Sequence, residues 1–202
     1  MLAGCAVMSS AACGDDGTGP NIGPRTETFS FEDGLGAWLA DATDITVGGD
    51  PIAWDVAVTD EAATDGERSV RLSLDNLSDA GKIWIERSFD LEPETSYSVR
   101  IEFDFGTADF GDVNLWTIIA GASPQPPETA QDLQDGFRDE TGHDQGQDAG
   151  LVWLEKAYDF VTTTEADGVL HVALGVWGTY EVSRIYFVDA VRITFTRALT
   201  SN

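Results

Sequence analysis

The chain has 202 residues, enough for one domain with a sizeable core, and its 42% hydrophobic and 10% aromatic residues give it the composition of a folded protein. Against 11 Lys and Arg stand 36 Asp and Glu, a formal charge of -25 that repels nucleic acid phosphates and anionic lipid head groups and suits cations, neutral ligands and high solubility. The two cysteines both lie near the start and there are only two histidines, which leaves no disulfide or thiolate metal site in the body and argues against a multi-histidine centre.

The first residues, "MLAGC", resemble the lipobox of bacterial lipoproteins, with Cys5 as the lipidated residue. "SSAACGDDGTGP" offers Cys13 as a second candidate. Ser10 is a poorer residue three places before the cysteine than Leu2, but a Cys-Gly-Asp-Asp run into a Gly/Pro tether is typical of mature lipoprotein starts. The apolar stretch before either cysteine is short for a signal peptide and carries no basic region, so the plain alternative is a disordered apolar start. Residues 1–13 are thus read as a lipoprotein signal remnant, 14–25 as a flexible tether, 26–197 as the folded domain and 198–202 as a tail. No later segment approaches the roughly 20 apolar residues of a membrane span.

From Thr26 onward the chain alternates with a period of two. Phe29 and Phe31 begin it, followed by Ile52, Trp54, Val56 and Val58, then Val70, Leu72 and Leu74, then Ile83 and Ile85. The cleanest run sets Tyr97, Val99, Ile101, Phe103 and Phe105 against Ser98, Arg100, Glu102 and Asp104, and Leu170, Val172, Leu174 and Val176 form another. "NLWTIIAG" and "LVWLEKAYDFVTT" are more continuously apolar, as strands covered on both faces would be. Turn signals such as "GGDP", "TDGE", "LEPET" and "EADG" separate the runs, and no long stretch has helical period. One-sided alternation implies antiparallel sheets, and two of them stacked make an all-β two-sheet sandwich. Residues 121–150 are polar and rich in Gly and Asp, and read as one long loop with room for a short helix near "ETAQDLQDGF".

The last strand, "SRIYFVDAVRITFT", raises a question. Ile185, Phe187, Val191, Ile193 and Phe195 share one face, and the position between Phe187 and Val191 on that face is Asp189. An unpaired buried carboxylate costs several kcal/mol. A hard cation, a basic neighbour (Arg184, Arg192 or Arg25) or a β-bulge that turns the side chain outward would each remove that cost.

The opening "FSFEDGLGAW", the middle "TDGERSVRLSL" and the closing "RIYFVDAVRITFT" together resemble the frame of jelly-roll carbohydrate-binding modules and related galactose-binding-like domains. The resemblance spans most of 26–197 as a spacing of short motifs. It implies a jelly roll, and it implies a structural calcium near the first and last strands, with Glu32 and Asp189 as the matching ligands and the turn at Asp65 and Gly66 as backbone support.

Several polar faces carry tryptophan, which leaves a large apolar surface in water unless something covers it. Trp84 and Glu86 alternate away from Ile83 and Ile85, Arg71 and Ser73 away from Val70 and Leu72, and Trp177 shares the face of His171 rather than that of Leu174. With Trp116, the set Trp84, Arg71, Glu86 and Trp116 would suit a sugar: indole stacks on C–H faces while Arg and Glu bond hydroxyls. Tyr180, Glu181 and Arg184 would stand at its rim. The competing reading makes these tryptophans a second small core beneath the long loop.

Catalysis has the weaker case. No Gly-x-Ser-x-Gly elbow and no phosphate-cradling glycine loop occur, carboxylate pairs are too abundant here to single one out, and His143 lies in a polar loop with no evident partner. The sequence therefore points to a non-catalytic, extracytoplasmic, lipid-anchored module that binds glycan through an aromatic sheet face. A structural or adhesive surface lipoprotein with a protein partner comes second, and a glycan-active enzyme third.

Overall fold

Tyr97, Val99, Ile101, Phe103 and Phe105 form the longest regular stripe of the core, because β8 (Ser96–Thr107) runs without interruption and every second side chain faces inward. A computed structural model describes residues 23–75, 80–110, 116–128, 137–140, 142–178 and 182–198. The other strands are β1 (Arg25–Phe29), β2 (Leu39–Thr43), β3 (Thr46–Val47), β4 (Asp50–Pro51), β5 (Trp54–Thr59), β6 (Ser69–Asp75), β7 (Lys82–Asp90), β9 (Trp116–Ser123), β10 (Phe137–Glu140), β11 (Val152–Thr163), β12 (Val169–Gly178) and β13 (Ser183–Arg197).

They form two antiparallel sheets. One has the order β11-β8-β13-β6-β5, with β1 also paired to β13; the other has the order β10-β9-β12-β7-β2. The inner faces meet in one core: Leu72, Ile101, Phe105, Tyr186 and Ile193 from the first sheet pack with Ile83, Ile85, Trp116, Ile118 and Leu174 from the second. This is the all-β two-sheet sandwich that the alternation predicts, consistent with the jelly roll that the resemblance implies.

Strand β13 departs from the period-two reading. Its pairing with β8 shifts between Asp189 and Arg192, and Ala190 sits at φ 51, in the left-handed region. This bulge inserts a residue and reverses the phase of the strand. Tyr186 and Val188 face the core before it, Val191, Ile193 and Phe195 after it. Ile185, Phe187 and Asp189, assigned from sequence to the core face, lie on the outer face; Ile185 is exposed, whereas Asp189 is buried there.

Two further expectations change. "LVWLEKAYDFVTT" is not covered on both faces. It is β11, the edge of the first sheet, with Leu154, Tyr158 and Phe160 packed inward while Glu155, Ala157, Asp159 and Val161 are exposed. Residues 121–150 are not a single loop either: β9 continues to Ser123, β10 pairs with it, and a 3-10 turn spans Gln147–Ala149. The short helix expected near "ETAQDLQDGF" falls mainly at 129–136, outside the described residues, and its last residue, Phe137, begins β10.

Candidate functional site

Asp189 is fully buried, and its partners are backbone amides. One edge of β13 is taken by β6 over Ser183–Val188 and by β1 over Val191–Phe195, which leaves Asp189 and Ala190 between them. The β5–β6 loop enters that gap. Asp189 Oδ2 accepts the N–H of Thr64 at 2.7 Å and of Asp65 at 2.9 Å, with Thr64 Oγ1 at 3.3 Å, and Oδ1 accepts the N–H of Ala190 at 2.8 Å. Glu32, just beyond β1, holds the other half of the same loop: Oε1 accepts the N–H groups of Glu67 and Arg68, each at 2.9 Å. Between these pairs Gly66 lies at φ 84, and a Cβ there would collide with the Glu32 carboxylate. The residues expected around a metal, Glu32, Asp65, Gly66 and Asp189, are thus brought together, and amide dipoles stabilise both anions. The arginines offered as partners are engaged elsewhere or exposed: Arg184 pairs with Asp109, Arg25 with Glu27, and Arg192 is exposed. Among the described residues no three Asp, Glu, His or Cys side chains converge as a metal group.

The expected aromatic face does not assemble. Arg71 stands on the first sheet, while Trp84, Glu86, Trp116 and Trp177 stand on the second. Trp116 points into the main core, its ring 4.9 Å from that of Phe105. Trp84 is 0% exposed and forms a small outer cluster with Ile119 and Ala173, as the second-core alternative holds. Gly175, paired opposite it, leaves room for the approach, since a Cβ there would overlap the backbone of Ile83 and Trp84. The Trp84 indole N–H donates to Glu86 Oε2 at 2.9 Å. Burial raises the Glu86 carboxyl above the usual range, the Trp84 bond opposes this, and Asp41 adds to it. Trp177 is half-buried beneath Lys82 Nζ, 4.6 Å from its ring centroid, and Lys82 itself bonds Asp44 and Ala80. Tyr180, Cys5 and Cys13 lie outside the described residues.

A different aromatic face is present on the outside of the first sheet. One row crosses it in register: Ala57, Arg71, Phe187, Gly106 and Trp153, on β5, β6, β13, β8 and β11. Trp153 is half-buried, with its ring centroid 6.0 Å from that of Phe187. Gly106 makes this contact fit, because a Cβ there would stand 3.1 Å from both Phe187 Cβ and Trp153 Cζ3. Arg71 flanks the aromatic pair, drawn toward Glu61 (3.5 Å) and Asp55 (3.9 Å). The next row on the same face carries Asp189, Asp104 and Glu155. Beyond it, at the β13 bulge, opens a groove of about 520 Å³ lined by Arg100, Glu102, Asp104, Glu155, Ala190 and Arg192, among others. Sequence reasoning missed Trp153 and Phe187. The first sat in a run read as doubly covered, and the second was put on the core side because the bulge is silent in the alternation.

A buried polar group was also missed. Asp109 follows β8 and receives Arg184 Nη1 at 2.6 Å and the Tyr186 hydroxyl at 3.2 Å. Burial raises the Asp109 carboxyl, with Arg184 pulling it back, and burial together with Asp109 pushes the Tyr186 phenol well above its ordinary value. His143 is not an unattached loop residue: it is 5% exposed, its N–H donates to the Asp109 carbonyl at 3.0 Å, and it bridges to Phe110. These contacts clamp the chain on either side of residues 111–141.

No family model and no curated protein sequence matches the chain. Among solved structures, the K3 cleaved adhesin domain of Lys-gingipain from Porphyromonas gingivalis aligns at TM-score 0.52 and 13% identity, covering 85% of this chain and 99% of that one. The K1 cleaved adhesin domain of the same protein aligns at 0.51 and 15%, covering 84% and 97%. A xylan-binding domain of carbohydrate-binding family 22 from Paenibacillus barcinonensis aligns at 0.40 and 16%, covering 86% and 95%. The chain shares the two-sheet sandwich of the two adhesin domains.

Proposed function

We propose that the chain is a non-catalytic, extracytoplasmic module that binds glycan through the outer face of its first sheet. The observation that carries this reading is the row Arg71, Phe187, Gly106 and Trp153: a partly open indole held by a second ring across a glycine, beside a guanidinium. A sugar ring lays its C–H face on such a surface, and Arg71 bonds its hydroxyls. Tryptophan fluorescence titrated with a glycan panel tests it. Trp153→Ala should abolish the response with an unchanged melting curve, whereas binding that survives this change would remove the site.

A protein partner on the same face is the second reading, favoured by the exposed apolar side chains Val161 and Ile185 on that sheet. A partner captured by the wild-type chain but not by Val161→Asp, with no glycan response, would establish it instead.

We further propose Glu32 and Asp189 as calcium ligands, with backbone support from the turn at Asp65 and Gly66. Supporting this are two carboxylates held on one loop at the junction of the first and last strands. Chelator should lower the melting temperature; an unchanged curve with no metal by elemental analysis leaves the amide clasp as the whole account. Lipid anchoring at Cys13 or Cys5 is read from the sequence alone, and mass spectrometry of the envelope-extracted protein tests it.

A further inference from the structure

Resting on the glycan reading, we infer that the ligand is an extended oligosaccharide without anionic groups, laid along β8 and β11 from Trp153 into the groove at the β13 bulge. Three observations lead there. First, the aromatic row and the groove are neighbours on the sheet. Gly106 and Asp104 are two residues apart on one face of β8, as are Trp153 and Glu155 on β11, so the groove's lining begins about 7 Å along the strands from the row that carries the indole. Arg192, opposite Glu102, lies further along the same face. Such a length exceeds one sugar ring and accommodates several.

Second, the bulge shapes this path. It bends β13 where Ala190 and Arg192 line the groove, and its geometry is held by the Asp189 carboxylate on the Ala190 N–H. The groove is thereby fixed to the rigid junction of the sandwich rather than to a loop, which suits a surface that must be ordered before ligand arrives.

Third, the step between platform and groove is acidic, while the groove beyond it balances Glu102, Asp104 and Glu155 with Arg100, Lys156 and Arg192. Asp104 stands directly opposite Glu155 on one side and Asp189 on the other. Like charges placed opposite each other across strands destabilise a sheet. Asp189 is answered by the 64–65 amides, whereas Asp104 and Glu155 make no side-chain ion pair or hydrogen bond among the described residues. Both carboxylates offer acceptors to sugar hydroxyls, and both repel uronates and sulfates. Within a chain of formal charge -25 that repulsion is reinforced at long range.

The experiment measures binding by calorimetry for neutral β-linked gluco-, xylo- and galacto-oligosaccharides from monosaccharide to hexasaccharide, and for oligogalacturonate. Affinity should climb with chain length by about tenfold or more, the yield of one or two added hydrogen bonds. Arg192→Ala, a change at an exposed side chain, should flatten the climb for the hexasaccharide and leave the disaccharide untouched. Asp104→Asn should weaken neutral ligands and relax the rejection of oligogalacturonate. A monosaccharide that binds as tightly as its hexamer, or oligogalacturonate that binds as well as the neutral chains, would overturn the inference while leaving glycan binding at Trp153 intact. No response to any glycan would remove the parent reading, and this inference with it.

Discussion

Asp189 Oδ2 accepts the backbone N–H of Thr64 at 2.7 Å, joining the last strand to a loop 125 positions earlier in the chain. With Glu32 holding Glu67 and Arg68, one loop is pinned by two carboxylates from the two ends of the domain. Hydrogen bonds to an ionised acceptor are stronger than neutral ones, and the burial of Asp189 limits competition from water at its half of the clasp, while the Glu32 bonds are exposed. The clasp closes the gap that the bulge leaves between β1 and β6.

Asp189→Ala should therefore be strongly destabilising. It takes a fully buried ionised acceptor from the N–H groups of Thr64, Asp65 and Ala190, at a cost of about 1–3 kcal/mol. Asp189→Asn keeps one acceptor oxygen but turns an NH₂ group toward an N–H donor, and should fall between wild type and alanine. Urea denaturation checks both, as a lowered midpoint with unchanged slope.

Gly66→Ala should unlatch the same loop from its middle. The residue is left-handed, and its new Cβ would collide with the Glu32 carboxylate. Together these cost about 1–3 kcal/mol. In the Glu32→Ala background the collision is gone and only the backbone penalty remains, so a double-mutant cycle should show the two changes to be clearly non-additive.

The sandwich was legible because alternation reports burial directly, and β6, β8 and β12 alternate without interruption. The acidic residue in the last strand was legible for the same reason: a carboxylate in an apolar series stands out. Its partners were not, since backbone amides have no letter in a sequence, and attention goes to arginines instead. A bulge at Asp189 was among the readings the sequence offered, and the structure has one there; what alternation did not show is that it sets the phase of the residues before it and moves Phe187 to the outer face. Trp84 shows the opposite limit. Its position on the outer face of its sheet was read correctly, yet a face is not an exposure, and the second sheet's outer face carries its own small core with Ile119 and Ala173.

Trp84→Ala should accordingly unfold or severely destabilise the protein, by about 3–5 kcal/mol, because it empties the centre of that outer core. Trp84→Phe should be milder and should leave glycan affinity unchanged. Thermal melts beside fluorescence titration separate the two effects. Loss of binding in a stably folded Trp84 variant would return the site to the second sheet.

The Glu86–Trp84 pair gives a pH dependence with a defined sign. Burial raises the Glu86 carboxyl above its ordinary value of 4.5. The folded state thus holds this proton more tightly than the unfolded state does. The stability it contributes is fully present below 4.5 and is lost as pH rises through the raised value, so at neutral pH the ionised group works against folding. Glu86→Gln cannot ionise, and its amide oxygen still accepts the Trp84 indole N–H. The variant should melt above wild type at neutral pH, and the difference should shrink to nothing as pH falls below 4.5. Asp109 is raised by burial in the same direction, but its carboxylate carries the Arg184 ion pair. Arg184 offsets that rise only in part, so Asp109→Asn should shift the melting temperature at neutral pH in the same direction as Glu86→Gln. Melting curves of the two amide variants across the acidic range read out the sign for each, and a Glu86→Gln protein less stable than wild type at neutral pH would show that the Trp84 bond, not burial, governs this carboxylate.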